Sequence, residues 1–200
     1  AWWFYSKLGR DSINIPLPGF DDWKVGIWYI PIFIFIIIST ANAVNFTDGL
    51  DGLASGPLIF AYGGFGILAY TQGLLVLSAL CAVIIGAIIA FLWFNVPPAR
   101  FYMGDTGSLS LGATLGVIAI LTNQALLIPL IGFIFLLEAA SVVIQLTSKK
   151  FFGRKVFSIA PIHHHFEHAG WKEWTIVMRF WIIGLIMAAL GTIIGLTDIL

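Results

Sequence analysis

A chain of 200 residues that is 60% hydrophobic and 10% charged, with a mean hydropathy of +0.98, is not a soluble globular domain; such a domain carries about 25% charged residues. Ten Lys and Arg balance ten Asp and Glu, so there is no basic excess for binding nucleic acid, and the apolar content excludes a disordered chain. The one cysteine, Cys81, lies in an apolar run and excludes a disulfide framework or a cysteine-ligated zinc cluster.

The chain opens on Ala1-Trp2-Trp3-Phe4-Tyr5, which lacks the charged start of a signal peptide. It reads as the frayed end of an earlier membrane helix, and the chain as a fragment. A spanning helix needs about 20 mostly apolar residues to cross a hydrocarbon core of about 30 Å. Runs over 26–44, 57–71, 74–94, 109–122, 126–147 and 175–197 meet or approach this, the second interrupted by glycines and the fourth short. The expected fold is all-α and polytopic, one membrane domain over 1–200 with six transmembrane helices.

If every run spans, the connections 45–56, 95–108 and 148–174 emerge on one side. That side holds Arg100, Lys149, Lys150, Arg154, Lys155 and Lys172, with Arg179 just inside the next helix; the other holds Lys7, Arg10 and Lys24. The excess of positive charge places the first side in the cytoplasm. Trp23, Trp28, Trp93, Trp171 and Trp174 fall near run boundaries, where amphipathic rings belong. Asp48, Asp51 and Asp105 share the cytoplasmic side with His163, His164, His165 and His168. Chemistry on that membrane face follows.

Three constellations carry it. In Asn42-Ala43-Val44-Asn45-Phe46-Thr47-Asp48-Gly49-Leu50-Asp51-Gly52-Leu53, two acids three apart face the same way if the segment is helical. Each precedes a glycine that lets a phosphate approach. Carboxylates beside substrate phosphates suit magnesium. The plainer alternative, a polar turn with the two Asp as caps, accounts less well for so many polar groups behind a strongly apolar helix. In Phe94 to Ser108, Asp105, Thr106 and Ser108 precede an apolar run, with Asp105 or Ser108 as an N-cap or the segment as a helix N-terminus that binds phosphate, while Phe101 and Tyr102 offer rings for a base. In Pro161-Ile162-His163-His164-His165-Phe166-Glu167-His168, adjacent histidines cannot share a helix face, so hydrogen bonding to a diphosphate is a better reading than a zinc site. The preceding basic stretch, Lys149 to Lys155, suits contact with anionic lipid. Glu138, the one acid inside a run, reads as a packing residue bonded to Ser141 or Gln145; Asp21-Asp22 reads as a solvated loop on the opposite side.

The motifs Asn42 to Leu53, Met103 to Ser108 and Pro161 to Glu167, in this order, resemble the polyprenyl-phosphate N-acetylhexosamine-1-phosphate transferases. The triple His with Gly170-Trp171-Lys172-Glu173 is similar to the muramoyl-pentapeptide branch. The resemblance implies the last six helices of a ten-helix fold in the bacterial inner membrane, active at its cytoplasmic face. It implies transfer of phospho-MurNAc-pentapeptide from UDP-MurNAc-pentapeptide to undecaprenyl phosphate, giving lipid I and UMP in peptidoglycan biosynthesis, with Mg2+ as cofactor and a homodimer as the assembly. By motif, Asp105 would hold magnesium, while Asp48 and Asp51 would shape the nucleotide and diphosphate site. Asp51, Gly49 and Leu50 would lie against uridine, Tyr102 against uracil, and Asn45 and Asn95 would position the nucleotide or its phosphates. His163, His164 and His165 would contact the sugar diphosphate. The family also carries an Asp-Asp pair on an earlier cytoplasmic loop, which Asp21-Asp22 does not match in spacing or side, so the fragment alone is expected to be inactive. The competing expectations are a UDP-GlcNAc transferase of the same class, a transporter using the histidines, and a non-catalytic scaffold.

Overall fold

The computed structural model describes residues 1–17, 19–20 and 22–199. A short helix α1 (Trp2–Lys7) leads into a two-stranded antiparallel ribbon, β1 (Ser12–Ile13) with β2 (Trp23–Lys24), in which Ser12 faces Lys24 and Ile13 faces Trp23. Asp21 lies outside the described residues. The long helices follow: α2 (Tyr29–Thr47), α3 (Ser55–Thr71), α4 (Leu75–Asn95) and α5 (Gly104–Leu121). Then come a short α6 (Ile128–Ile131), α7 (Phe133–Phe152), the seven-residue α8 (Ile162–His168) and α9 (Glu173–Ile199).

All six apolar runs are helical, yet they are not six equal spans. Among the described residues, four helices are long and apolar enough to cross a membrane: Gly26–Thr47, Leu75–Asn95, Gly104–Leu121 and Glu173–Ile199. The run 126–147 breaks between Ile131 and Phe133, and its two pieces meet at 86°. Pro129 in the first piece and Gly132 at the joint weaken continuous helix there, and the bent pair is at most one further span. The run 57–71 gives the 17-residue α3, about 25 Å long and short of the hydrocarbon thickness. Its glycines and tyrosines lower its hydropathy because it is the buried centre of the bundle. Leu58, Ala61, Tyr62, Phe65 and Leu68 are wholly enclosed, and Tyr62 Oη donates to Leu111 O of α5 at 2.7 Å. By contrast α4 exposes Leu75, Val76, Val83, Ile89 and Trp93, a surface that suits lipid.

The geometry of α2 against α5 positions the site. A Cβ on Gly112 would sit 2.5 Å from Thr40 O and 2.7 Å from Ala41 Cα, so the two backbones touch there. Small residues permit such packing between helices in a membrane, where apolar side chains gain nothing by leaving lipid. Thr40 and Thr47 return their hydroxyls to carbonyls one turn earlier, so neither brings an unpaired hydroxyl to the seam. Gly112→Leu is expected to force the helices apart and destabilise the protein by about 1–3 kcal/mol. A melting temperature in detergent equal to the parent's would contradict this.

At the opposite end the bundle is tied by polar clasps. Gln72 Nε2 donates to Thr122 O at 2.9 Å, Arg10 to Leu121 O at 3.1 Å, and Asn14 Nδ2 to Asp198 Oδ2 at 2.5 Å.

Candidate active site

Three connections interlock at the end of the bundle remote from those clasps. Asn45, on the last turn of α2, donates from Nδ2 to Asp105 Oδ1 and to Ser108 Oγ, both at 2.9 Å. The bond joins α2 to the first turn of α5. The helix begins at Gly104, five residues before the apolar run that signals it, so Asp105 and Ser108 lie inside it and neither is its N-cap. Ser108 Oγ instead donates back to Gly104 O at 3.0 Å. An acid in the first turn is favoured by the helix dipole.

Asp48 caps the C-terminus of α2, and its own N–H closes the helix on Val44 O and Asn45 O. Residues 48–54 form turns and not the helix that would align Asp48 with Asp51. The two acids do separate work. Asp51 Oδ2 accepts from Ala99 N at 2.8 Å and its N–H donates to Glu173 Oε1 at 2.9 Å, so it fastens the 95–103 connection and the start of α9 to the same turn. Asp48 is half-buried, and its carboxyl is pushed up to about 6, chiefly by loss of water. The Gly104 N–H opposes the shift, and the nearby charges of Asp105 and Asp51 add to it.

Asn95 is 2% exposed. Its Oδ1 accepts from Gly52 N at 3.0 Å and Ser55 Oγ at 3.2 Å, and its Nδ2 donates to Phe101 O at 2.9 Å. It ties the Gly52–Ser55 segment to the 95–103 connection, and these bonds occupy its buried amide. Tyr102, three residues before Asp105 in the chain, is 76% exposed. Leu50 packs partly into an apolar cluster with Leu53, Ile134, Ile176 and Phe180.

The histidines diverge, as consecutive residues on a helix must. His163 is buried; its Nδ1 lies 3.0 Å from Glu138 Oε2, and its Nε2 edge lies against Gly49 so closely that a Cβ there would overlap the ring. His164 is partly exposed, with its ring 4.1 Å from that of His163 and its Nδ1 2.5 Å from Glu167 Oε2. His165 Nδ1 accepts from Ser158 N at 3.2 Å and faces the 153–161 connection. The expected partners of Glu138 are otherwise engaged: Ser141 Oγ donates to Glu138's backbone carbonyl, and Gln145 bonds residues 156 and 157. Glu173, the last residue of Gly170-Trp171-Lys172-Glu173, joins the site through its bond to Asp51 N, a role that the motif does not signal.

The donor set is oxygen-rich. Among the described residues, no Lys or Arg forms an ion pair with Asp48, Asp51 or Asp105, and no three acidic, His or Cys side chains already converge on one point. Carboxylates without a cationic partner fit a hard divalent ion held by one or two of them together with substrate phosphates.

The polytopic helical fold and a site built from three distant connections define a membrane protein with its polar machinery gathered at one end. The chain belongs to glycosyl transferase family 4, whose family model matches residues 2–123. It is similar to the phospho-N-acetylmuramoyl-pentapeptide-transferases of Pelagibacter ubique (strain HTCC1062), at 48% identity over 84% of this chain and 51% of that one, and of Geobacillus kaustophilus (strain HTA426), at 46% over 94% and 58%. The protein of that name from Bacillus anthracis is 43% identical over 98% of this chain and 60% of its own. The chain thus spans between about half and three-fifths of the length of these relatives.

Proposed function

We propose that the whole protein transfers phospho-MurNAc-pentapeptide from UDP-MurNAc-pentapeptide to undecaprenyl phosphate, as a homodimer in the bacterial inner membrane with its site facing the cytoplasm. The observation that carries this reading is the meeting of the Asn45–Asp51 turn, the Asp105 helix start and the triple-His helix, in a chain whose relatives bear that enzyme's name. An oxygen of the lipid phosphate forms a bond to the phosphorus attached to the sugar. The P–O bond to the uridylyl phosphate breaks, and UMP leaves with the bridging oxygen.

Within this reading Asp105, exposed and turned toward Asn45, would hold Mg2+, with Asp48 beside it. Bound there, the ion supplies positive charge to diphosphate oxygens as negative charge moves onto the leaving group. Asn45 holds the Asp105 carboxylate in place. Tyr102 offers its face to the base, and Asp51 keeps the turn beneath the nucleotide closed onto residue 99. His164 directs a ring toward the sugar diphosphate. The exposed apolar helix faces receive the polyprenyl tail.

UMP release by the full-length protein tests the reading. Release from UDP-MurNAc-pentapeptide that depends on Mg2+ supports it; release only from UDP-GlcNAc overturns the substrate, and none with either overturns the activity. The 200 residues alone are expected to release none.

Protonation of Asp48 gives a pH signature. Its carboxyl titrates at about 6 against an ordinary 3.8, so the folded chain holds this proton more tightly than the unfolded chain. The stability from this group is full below about 4 and is lost as pH rises through about 6. A bound cation favours the ionised form, so Mg2+ affinity should fall by up to about tenfold for each pH unit below about 6. Mg2+ titration of thermal unfolding at pH 5 and pH 7 measures this. Asp48→Asn is expected to flatten the difference, and an unchanged pH dependence in that variant would refute the assignment.

A further inference from the structure

Glu138 and His163 form a wholly buried pair between α7 and α8, and the reaction described above gives Glu138 no role. The carboxylate Oε2 meets His163 Nδ1 at 3.0 Å, while Glu138 Oε1 and His163 Nε2 have no hydrogen-bond partner among the described residues. The same two helices place Ile134 and Ile162 in the apolar cluster with Leu53, Ile176 and Phe180. Packing alone would favour another aliphatic side chain here, because a carboxylate removed from water is costly unless it serves a partner. The partner is an imidazole whose opposite edge lies against Gly49, between Asp48 and Leu50. A carboxylate behind one ring nitrogen fixes both the tautomer and the orientation of the other.

We propose that Glu138 is a positioning residue: it holds the proton on His163 Nδ1 and sets Nε2 against the backbone of the Asp48–Gly49–Leu50 turn, fixing from beneath the turn on which the diphosphate of a nucleotide sugar would lie. The inference rests on the phosphotransfer reading above. Nε2 is the unpartnered polar atom of a fully buried side chain, directed at backbone that carries no side chain in its way. His164, ring against ring with His163, takes its place from the same anchor. Glu138 thus acts through His163 and does not touch substrate.

The test uses the full-length enzyme in detergent, with UMP release as kcat and KM and with thermal unfolding in parallel. Glu138→Gln keeps the shape and an oxygen that accepts Nδ1–H; Glu138→Leu keeps the bulk and removes the acceptor. The expected result is a kcat lowered about tenfold in Glu138→Gln and about a hundredfold or more in Glu138→Leu, with KM for the nucleotide sugar within about threefold of the parent in both. Equal kcat in the two variants, or a loss that appears only in KM, overturns the proposal. Should Glu138→Leu not accumulate as folded protein, Glu138→Gln decides in single-turnover measurements: its loss must vanish in a His163→Ala background. No loss in the parent background, or a loss that persists without His163, makes Glu138 a packing group. A parent enzyme that releases no UMP refutes the function itself, whereas an active parent indifferent to Glu138 refutes this inference alone.

Discussion

Asp105→Asn in the full-length protein is expected to lower kcat by about a hundredfold to a thousandfold, the scale on which one preorganised electrostatic contact acts in an enclosed site. The replacement has the same shape, and Asn45 can still bond to its oxygen, so α2 and α5 remain joined. Only charge is lost. Asp105 is the exposed acid of the three, at the first turn of a helix whose dipole tolerates a negative group, and so the one placed to meet a cation from outside. Asp51 is committed to residues 99 and 173, and Asp48 holds its proton up to about pH 6. UMP release at saturating substrate and rising Mg2+ measures the effect. Full turnover by Asp105→Asn would mean that its charge takes no part, and the non-catalytic scaffold would regain ground.

Gly49→Ala is expected to cost at least about a hundredfold in kcat/KM, because a displacement of about 1 Å at a reacting centre has that effect. The added methyl would overlap His163 Nε2 and lie 2.8 Å from Cε1. The ring cannot retreat: it is wholly buried, Glu138 holds its other nitrogen, and the His164 ring stands 4.1 Å away. The turn must move instead, carrying Asp48 and Asp51 with it and detaching Asp51 from Ala99. Gly63→Ala, at a helical glycine with nothing within 4 Å of its missing side chain, is the matched control and should leave turnover and melting temperature unchanged. Equal kcat/KM in both variants would show that the ring does not bear on the turn.

Much of this arrangement is legible in composition and spacing. The apolar runs foretell the helices, and the two minimal connections at 72–73 and 123–125 foretell that the polar groups gather at one end. Two features escape because they depend on three-dimensional context. Helix α3 has the length of a near-span but is enclosed by protein, so burial, not hydropathy, explains its glycines and tyrosines. The break at Gly132, where Pro129 and Gly132 weaken continuous helix, sets Ile131 against Gly191 of α9, a contact that a periodicity of single residues does not report. At the site, three motifs name most of the residues, but roles follow from partners far away in sequence. Asn95, expected beside the nucleotide, bonds residues 52, 55 and 101 from a buried position; Glu138 looks like packing and faces an imidazole 25 residues on. The helical alignment of Asp48 with Asp51 fails because α2 ends at Thr47 and Gly52 takes a positive φ of 75° in the following turn.

The contrast between α3 and α4 means that neighbouring helices obey different rules of substitution. Around α4 the solvent is fluid acyl chain, which closes round any aliphatic shape, so oiliness alone matters along most of its length. Around α3 the solvent is other side chains at fixed positions, and a missing methyl there leaves a void that nothing flows in to fill. Drift over evolutionary time should therefore be fast and chemically monotonous on the first and slow on the second.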